Sequence, residues 1–180
     1  MNTKLSELLM PNRNKDLTMI RRGFGLKDVV APKVAGEYRS QLIRRLREYS
    51  LPLELNGLQI LLAKEFGFCY GVDRAVDFAY ETRQKFPDKT IYITSEIIHN
   101  PNVNRKLREM DIRFLSGGDG ENYDYSDIKP EDIVILPAFG ASVSELELLA
   151  KIGCILVDTT CGSVMNVWKR VERNANDGFT

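Results

Sequence analysis

Cysteine is scarce in this chain, and so are histidine and tryptophan: 180 residues carry three Cys, one His and one Trp. Cysteines at 69, 154 and 161 are too few and too unevenly spaced for a disulfide framework. A reducing, cytoplasmic setting is the expectation. No apolar run reaches the roughly 18 residues that a membrane helix needs, so no membrane partner is expected. The opening Met1-Asn2-Thr3-Lys4-Leu5-Ser6-Glu7 lacks the apolar stretch of a signal peptide, and acidic residues argue against a transit peptide. Internal repeats and low-complexity tracts are missing as well. Nor is there an overall charge, since 25 Lys/Arg meet 25 Asp/Glu. That balance hides an asymmetry. Residues 1–57 hold 11 Lys/Arg against 6 Asp/Glu, a net of +5, and residues 58–180 carry the opposite excess. No aromatic-interleaved basic patch accompanies the basic end, so it is expected to lie on its own acidic domain and not on nucleic acid.

What the chain does have is a pattern. Residues 1–35 read as irregular, with Arg21-Arg22-Gly23-Phe24-Gly25 as a solvated pair or a phosphate contact before a glycine-rich turn. Tyr38, Leu42, Leu46 and Tyr49 have the spacing of an amphipathic helix over 37–49 with a basic opposite face. Pro52 and Asn56-Gly57 then punctuate the chain and suggest a boundary. From there strands and helices alternate. Strands are predicted at 58–64, 90–94, 112–115, 132–136 and 154–158, and helices at 70–86, 101–110, 142–152 and 162–174. Asn100 before Pro101, and Ser142 with Glu145, are start signals for two of these helices. Such alternation implies an α/β fold, a parallel sheet with helices on both faces. The expected division is a basic arm with one amphipathic helix over 1–57, a first α/β domain over 58–161, and the start of a second over 162–180.

In a parallel sheet the strand C-terminal ends share one edge, where ligands bind. Cys69, His99 and Cys161 each follow a predicted strand and so fall on that edge. Cys69 lies between Gly67 and Gly71 at a helix start, where the backbone turns sharply and a thiolate is favoured. Such a place holds a metal, an anion or a reactive sulfur, or simply buries a small side chain. Cys69 and Cys161 are too far apart in sequence for a zinc ribbon. A redox pair and two ligands of an iron–sulfur cluster both remain open. His99, beside an Asn-Pro helix start, suits a phosphate or a structural role. Asp158 is placed to orient the last turn, with Thr159 and Thr160 capping or donating to sulfur or an anion. Cys154 opens an apolar strand at the far end from Cys161 and reads as a core thiol.

Gly67-Phe68-Cys69-Tyr70-Gly71-Val72-Asp73-Arg74-Ala75, then Glu96-Ile97-Ile98-His99-Asn100, then Asp158-Thr159-Thr160-Cys161 with Val167-Trp168 resemble the 4-hydroxy-3-methylbut-2-enyl diphosphate reductase family. The basic N-terminal segment and Tyr80-Glu81-Thr82-Arg83-Gln84 are most similar to its cyanobacterial and plastid branch. The resemblance covers about residues 40–180. It implies one of three similar α/β domains around an oxygen-sensitive [4Fe-4S] cluster held by three cysteines. The reaction it implies is reductive dehydroxylation of the diphosphate substrate to isopentenyl and dimethylallyl diphosphate, fed by an electron donor such as ferredoxin. By motif, Cys69 and Cys161 are then metal ligands and His99 a diphosphate contact. The third cysteine and the acid/base glutamate are expected beyond Thr180, so the chain reads as an N-terminal portion, inactive alone. Where many members have Ser-Ala-His-Gly, this chain has Pro137-Ala138-Phe139-Gly140. The alternative is a stand-alone, non-enzymatic α/β module that binds a phosphorylated ligand or partner, with a thiol pair.

Overall fold

Four short, mostly apolar segments build the centre of the molecule, in a computed structural model that describes residues 18–48, 53–64, 66–116 and 123–178. They are β4 (Ile91–Ile93), β5 (Ile112–Phe114), β6 (Ile133–Leu136) and β7 (Ile155–Asp158). With β1 (Met19–Ile20) they form one five-stranded sheet in the order β1-β7-β6-β4-β5, every pair parallel. Strands buried on both faces need apolar residues throughout, which is why β6 reads Ile-Val-Ile-Leu. The pleat sends alternate side chains to opposite sides. Ile91, Ile93, Ile133, Ile135 and Val157 join one core cluster, whereas Tyr92, Val134, Leu136 and Leu156 join another.

Helices cover both faces. On the first lie α1 (Lys27–Tyr38), α3 (Tyr70–Lys85) and α4 (Pro101–Glu109), through Val30, Ala75, Val76, Phe78, Ala79, Val103 and Leu107. On the second lie α5 (Val143–Ile152) and α6 (Gly162–Asn176), through Leu146, Leu149, Met165 and Trp168. Start signals act as read: Asn100 Oδ1 accepts from the amides of Asn102 and Val103, and Ser142 with Glu145 forms a capping box. Gly153, left-handed at φ 78°, ends α5. The parallel α/β architecture with helices on both faces is thus as expected.

The N-terminal third differs from expectation in three ways. First, the strand predicted at 58–64 is not in the sheet. Leu58–Ile60 (β3) pairs antiparallel with Leu53–Leu55 (β2). Asn56 and Gly57, both at positive φ (49° and 79°), make the two-residue hairpin turn that Asn-Gly favours. Second, the sheet's edge strand comes instead from the segment read as irregular. Met19 and Ile20 pair with Leu156 and Val157, so a division at residue 57 does not follow the sheet. Third, helix α1 occupies Lys27–Tyr38, mostly within the segment expected to be irregular, and the helix predicted over 37–49 is broken at residues 39–40, so that only α2 (Gln41–Glu48) answers to it. The Ser40 hydroxyl accepts from the amide of Ile43 and starts a new helix there. Tyr49, Pro52 and Glu65 lie outside the described residues, as do residues 1–17 of the arm, part of the loop between β5 and β6, and Phe179-Thr180.

α1 carries Pro32 in its interior, an unfavourable residue there, and tertiary contacts hold it. Buried Glu81 of α3 accepts from the amides of Phe24 (2.7 Å) and Leu26 (3.2 Å), just where α1 begins. Gly23 fits beneath this carboxylate, since a Cβ there would lie 3.1 Å from Oε2. Phe24 packs against Phe78 and Phe86, with ring centroids 5.4 Å away in each case. Hydrogen bonds to a charged group contribute about 1.5–3 kcal/mol each. Glu81→Ala is therefore expected to lower stability by about 2–4 kcal/mol. It should also speed amide exchange at Phe24 and Leu26. An unchanged denaturant midpoint would contradict this account.

Candidate functional site

The chain runs β4-α4-β5 in one direction across the sheet. It then crosses back to place β6 on the other side of β4 and continues through α5 to β7. The strand order therefore reverses between β4 and β6. Parallel sheets leave a crevice at such a point, outside the strand C-terminal ends. The segment after β4 brings His99 there and the segment after β6 brings Phe139. Their rings stack, with centroids 6.0 Å apart and planes 20° from parallel. His99 is largely exposed, and its Nδ1 lies 2.7 Å from Glu96 Oε2. An ionised carboxylate only accepts, so Nδ1 carries the hydrogen and Nε2 is the nitrogen left for a ligand.

Cys69 and Cys161 occupy equivalent positions on two helices. Each is the N-cap residue in extended conformation, Cys69 of α3 and Cys161 of α6. Neither side chain caps its own helix. Gly67, at φ 103°, delivers the chain to Cys69. The two helix starts meet at Gly71, in the first turn after Cys69, where an added Cβ would sit 2.5 Å from Cys161 Sγ. Any side chain at 71 would displace that sulfur. Cys161 is held below the usual thiol range, chiefly by the Ser163 backbone amide near its sulfur, helped by the Val164 amide, the Ser163 hydroxyl and the charge of Arg74, against a smaller upward push from burial. Cys69 is exposed. Cys154 is wholly buried before β7, at the opposite end, with its Sγ directed at Leu149 O at 3.8 Å, and burial pushes its thiol up to about 11. Its reading as a core thiol agrees with this placement.

The turn after β7 ties these pieces together. Thr159 donates through Oγ1 to Leu136 O (2.6 Å), and the Cys161 amide donates to Ala138 O (2.9 Å). Gly140, at φ 84°, has no room for a Cβ because the Trp168 indole lies on it. So α6 is clamped to the β6 turn by Trp168, about two turns beyond the Cys161 end. Three contributors were not assigned their roles from sequence: Arg21, Arg74 and Phe139. From sequence Arg21 is a phosphate contact or a solvated residue, yet its Nε pairs with buried Asp158 at 3.0 Å. A carboxylate at the end of an otherwise apolar strand is the sequence signal from which such a partner can be inferred.

The site residues fit part of a soft-metal donor set. Two thiols stand at helix N-termini, one of them biased toward thiolate, and thiolates suit iron–sulfur clusters. Among the described residues no group of three or more Cys, His, Asp or Glu gathers to hold a metal, so these two would need a further ligand.

The family model described as LytB protein matches residues 60–180, two-thirds of the chain and all three motifs. This chain belongs to the LytB family. Among its relatives is the 4-hydroxy-3-methylbut-2-enyl diphosphate reductase of the cyanobacterium Picosynechococcus, 49% identical over 160 residues, which cover 89% of this chain and 40% of the relative. The protein of the same name from Prochlorococcus marinus is also 49% identical with the same coverage. A solved structure, that of the E-1-hydroxy-2-methyl-but-2-enyl-4-diphosphate reductase from Plasmodium falciparum, is 32% identical. It aligns with a TM-score of 0.53 over 62% of this chain and 32% of its own. The chain spans about two-fifths of the length of the curated relatives it matches.

The two thiol environments differ enough to measure. A depressed thiol pKa keeps thiolate present as pH falls, and a raised one removes it. Alkylation of the metal-free chain at neutral pH should therefore modify Cys161 long before Cys154, and Cys161 should stay reactive below the ordinary thiol pKa of about 8.5. Site-resolved mass spectrometry reads both rates, and equal rates for the two cysteines would refute the assignment.

Proposed function

We propose that this chain is the N-terminal portion of a 4-hydroxy-3-methylbut-2-enyl diphosphate reductase. Its catalysed step is the two-electron reductive dehydroxylation of the diphosphate substrate. Two electrons and two protons enter, the allylic C–O bond breaks, water leaves, and isopentenyl or dimethylallyl diphosphate forms. The observation that carries this reading is the meeting of two cysteine-capped helix starts beside the His99 crevice, in a chain that matches named reductases along most of its length.

Cys69 and Cys161 would supply two of three thiolates to a [4Fe-4S] cluster. Held by three thiolates, such a cluster supplies electrons and one coordinatively open, Lewis-acidic iron. The third cysteine and a carboxylic acid for proton delivery belong to parts of the protein outside this chain, so residues 1–180 alone should give no turnover. His99 binds the substrate diphosphate. Glu96 holds Nδ1 and leaves Nε2 to face the phosphate, and an Nε2–H there donates a charge-assisted hydrogen bond to it. Phe139 fixes the plane of that ring with an apolar face and offers no second charged contact. Gly71 keeps the gap between the helix starts clear. α6 leads from Cys161 into a second α/β domain. An external electron carrier such as a ferredoxin delivers the electrons, and the enzyme works in the cytoplasm. Among the described residues no helix is long and apolar enough to cross a membrane.

Two measurements on the native protein, purified without oxygen, test this. Cys69→Ser and Cys161→Ser should each strip iron, sulfide and visible colour, and native iron content in both would refute the ligand roles. His99→Ala should raise KM for the diphosphate substrate about tenfold to a hundredfold, the value of one lost charge-assisted hydrogen bond, with a smaller effect on kcat. An unchanged KM would remove His99 from the substrate site.

A further inference from the structure

The turn Asp158–Cys161 is pinned from below by β6. The Thr159 amide and hydroxyl both donate to Leu136 O, and the Cys161 amide donates to Ala138 O. The Thr160 amide donates to Asp158 Oδ1 at 3.0 Å. Two backbone carbonyls and the second Asp158 oxygen remain, and two arginines reach them. Arg74 Nη1 donates to Thr159 O (3.3 Å) and Thr160 O (3.4 Å), and its Nη2 donates to Arg21 O (2.6 Å). Arg21 Nε donates to Asp158 Oδ2 (3.0 Å). Arg74 lies on the helix that Cys69 begins, little more than one turn along. One guanidinium therefore joins the Cys69 helix to the Cys161 turn, and the Arg21 backbone is its third acceptor. A planar fork can span three carbonyls on two segments, which a single ammonium cannot do as well.

We propose that Arg74 and Arg21 are positioning residues that hold the Cys161 turn against the Cys69 helix. Through them the N-terminal segment becomes a working part of the metal centre. This rests on the reading of Cys69 and Cys161 as metal ligands. Groups that orient metal ligands from outside the coordination shell commonly govern metal affinity by about 10–100-fold. The two positive charges also favour the reduced, more negative state of a centre bound by thiolates.

The test uses the native protein, purified without oxygen, with Arg74→Met, Arg74→Lys, Arg21→Met and Cys69→Ser. Iron retained against a chelator and the midpoint potential are read for each. Arg74→Met and Arg21→Met should lose iron about tenfold faster, and the residual centre should have a more negative potential. Arg74→Lys keeps the charge without the fork, so it should lose iron faster at a nearly native potential. That split separates positioning from charge, and a general loss of fold would not produce it. Native retention and potential in both Met variants, with iron lost in Cys69→Ser, would overturn the proposal and leave the ligand reading standing. Iron kept in Cys69→Ser would overturn both. If Arg74→Met does not fold, Arg74→Lys decides, and native retention there sinks the proposal.

Discussion

A carboxylate buried at the end of a parallel strand cannot be left alone, and Asp158 is 3% exposed. An unpaired charge in such a place costs several kcal/mol, so the fold must supply a cation and hydrogen bonds. It does so from two directions. The Thr160 amide bends back to one oxygen, which shapes the turn, and Arg21 arrives at the other from 137 residues earlier in the chain. Much of the N-terminal architecture follows. For Arg21 to reach Asp158, Met19 and Ile20 must lie beside β7, and the chain must then turn at Gly23 under Glu81 and enter α1. One charge thus connects a strand edge, a helix start and the turn that bears Cys161.

The site is a consequence of sheet topology combined with missing side chains. Reversal of strand order opens a crevice between β4 and β6, and His99 and Phe139 fill its rim. Glycine at 71 and 140 lets two helices approach turns more closely than any other residue would permit. The backbone at these positions is where the geometry is decided. The exposed His99 crevice and the gap between the two cysteine-bearing helix starts offer different surroundings, as the phosphate and metal sites proposed for them require. The two places adjoin because β6 and β7 are neighbours in the sheet.

Most of the central sheet was legible in the sequence. The runs at 91–93, 112–114, 133–136 and 155–158 are short and mostly apolar, with Arg113 and Asp158 the exceptions, and turn-forming Pro87-Asp88, Asp111, Pro137 and Gly153 stand close to their ends. The caps at Asn100 and Ser142 carry their own local chemistry. His99 and Cys161 follow sheet strands as read, whereas the run before Cys69 is a hairpin strand outside the sheet, and Cys69 comes beside Cys161 through the close approach at Gly71 instead. The N-terminal segments were misread because their structure is not local. Leu58–Ile60 is as apolar as a core strand, but the Asn-Gly turn before it closes a hairpin. Met19-Ile20 is too short to announce a strand, and only its neighbour β7 makes it one. α1 contains Pro32 and Gly36, and it persists through contacts that Tyr80 and Glu81 make from α3: the Tyr80 hydroxyl to Glu37, and the Glu81 carboxylate to the Phe24 and Leu26 amides. The run 80–84, legible only as a mark of kinship, proves to be the anchor for the segment in front of it.

The pairing of β1 with β7 has a consequence for biosynthesis. A ribosome makes Met19 and Ile20 early, and their partners Leu156 and Val157 emerge 137 residues later. At ordinary synthesis rates that is a wait of roughly 7–30 s. During that time the first strand lacks its partner β7, Arg21 has no carboxylate, and α1 can dock on α3 only once residues 70–85 have been made. The sheet is closed by the segment that was made first, and the turn that carries Cys161 becomes rigid in the same event.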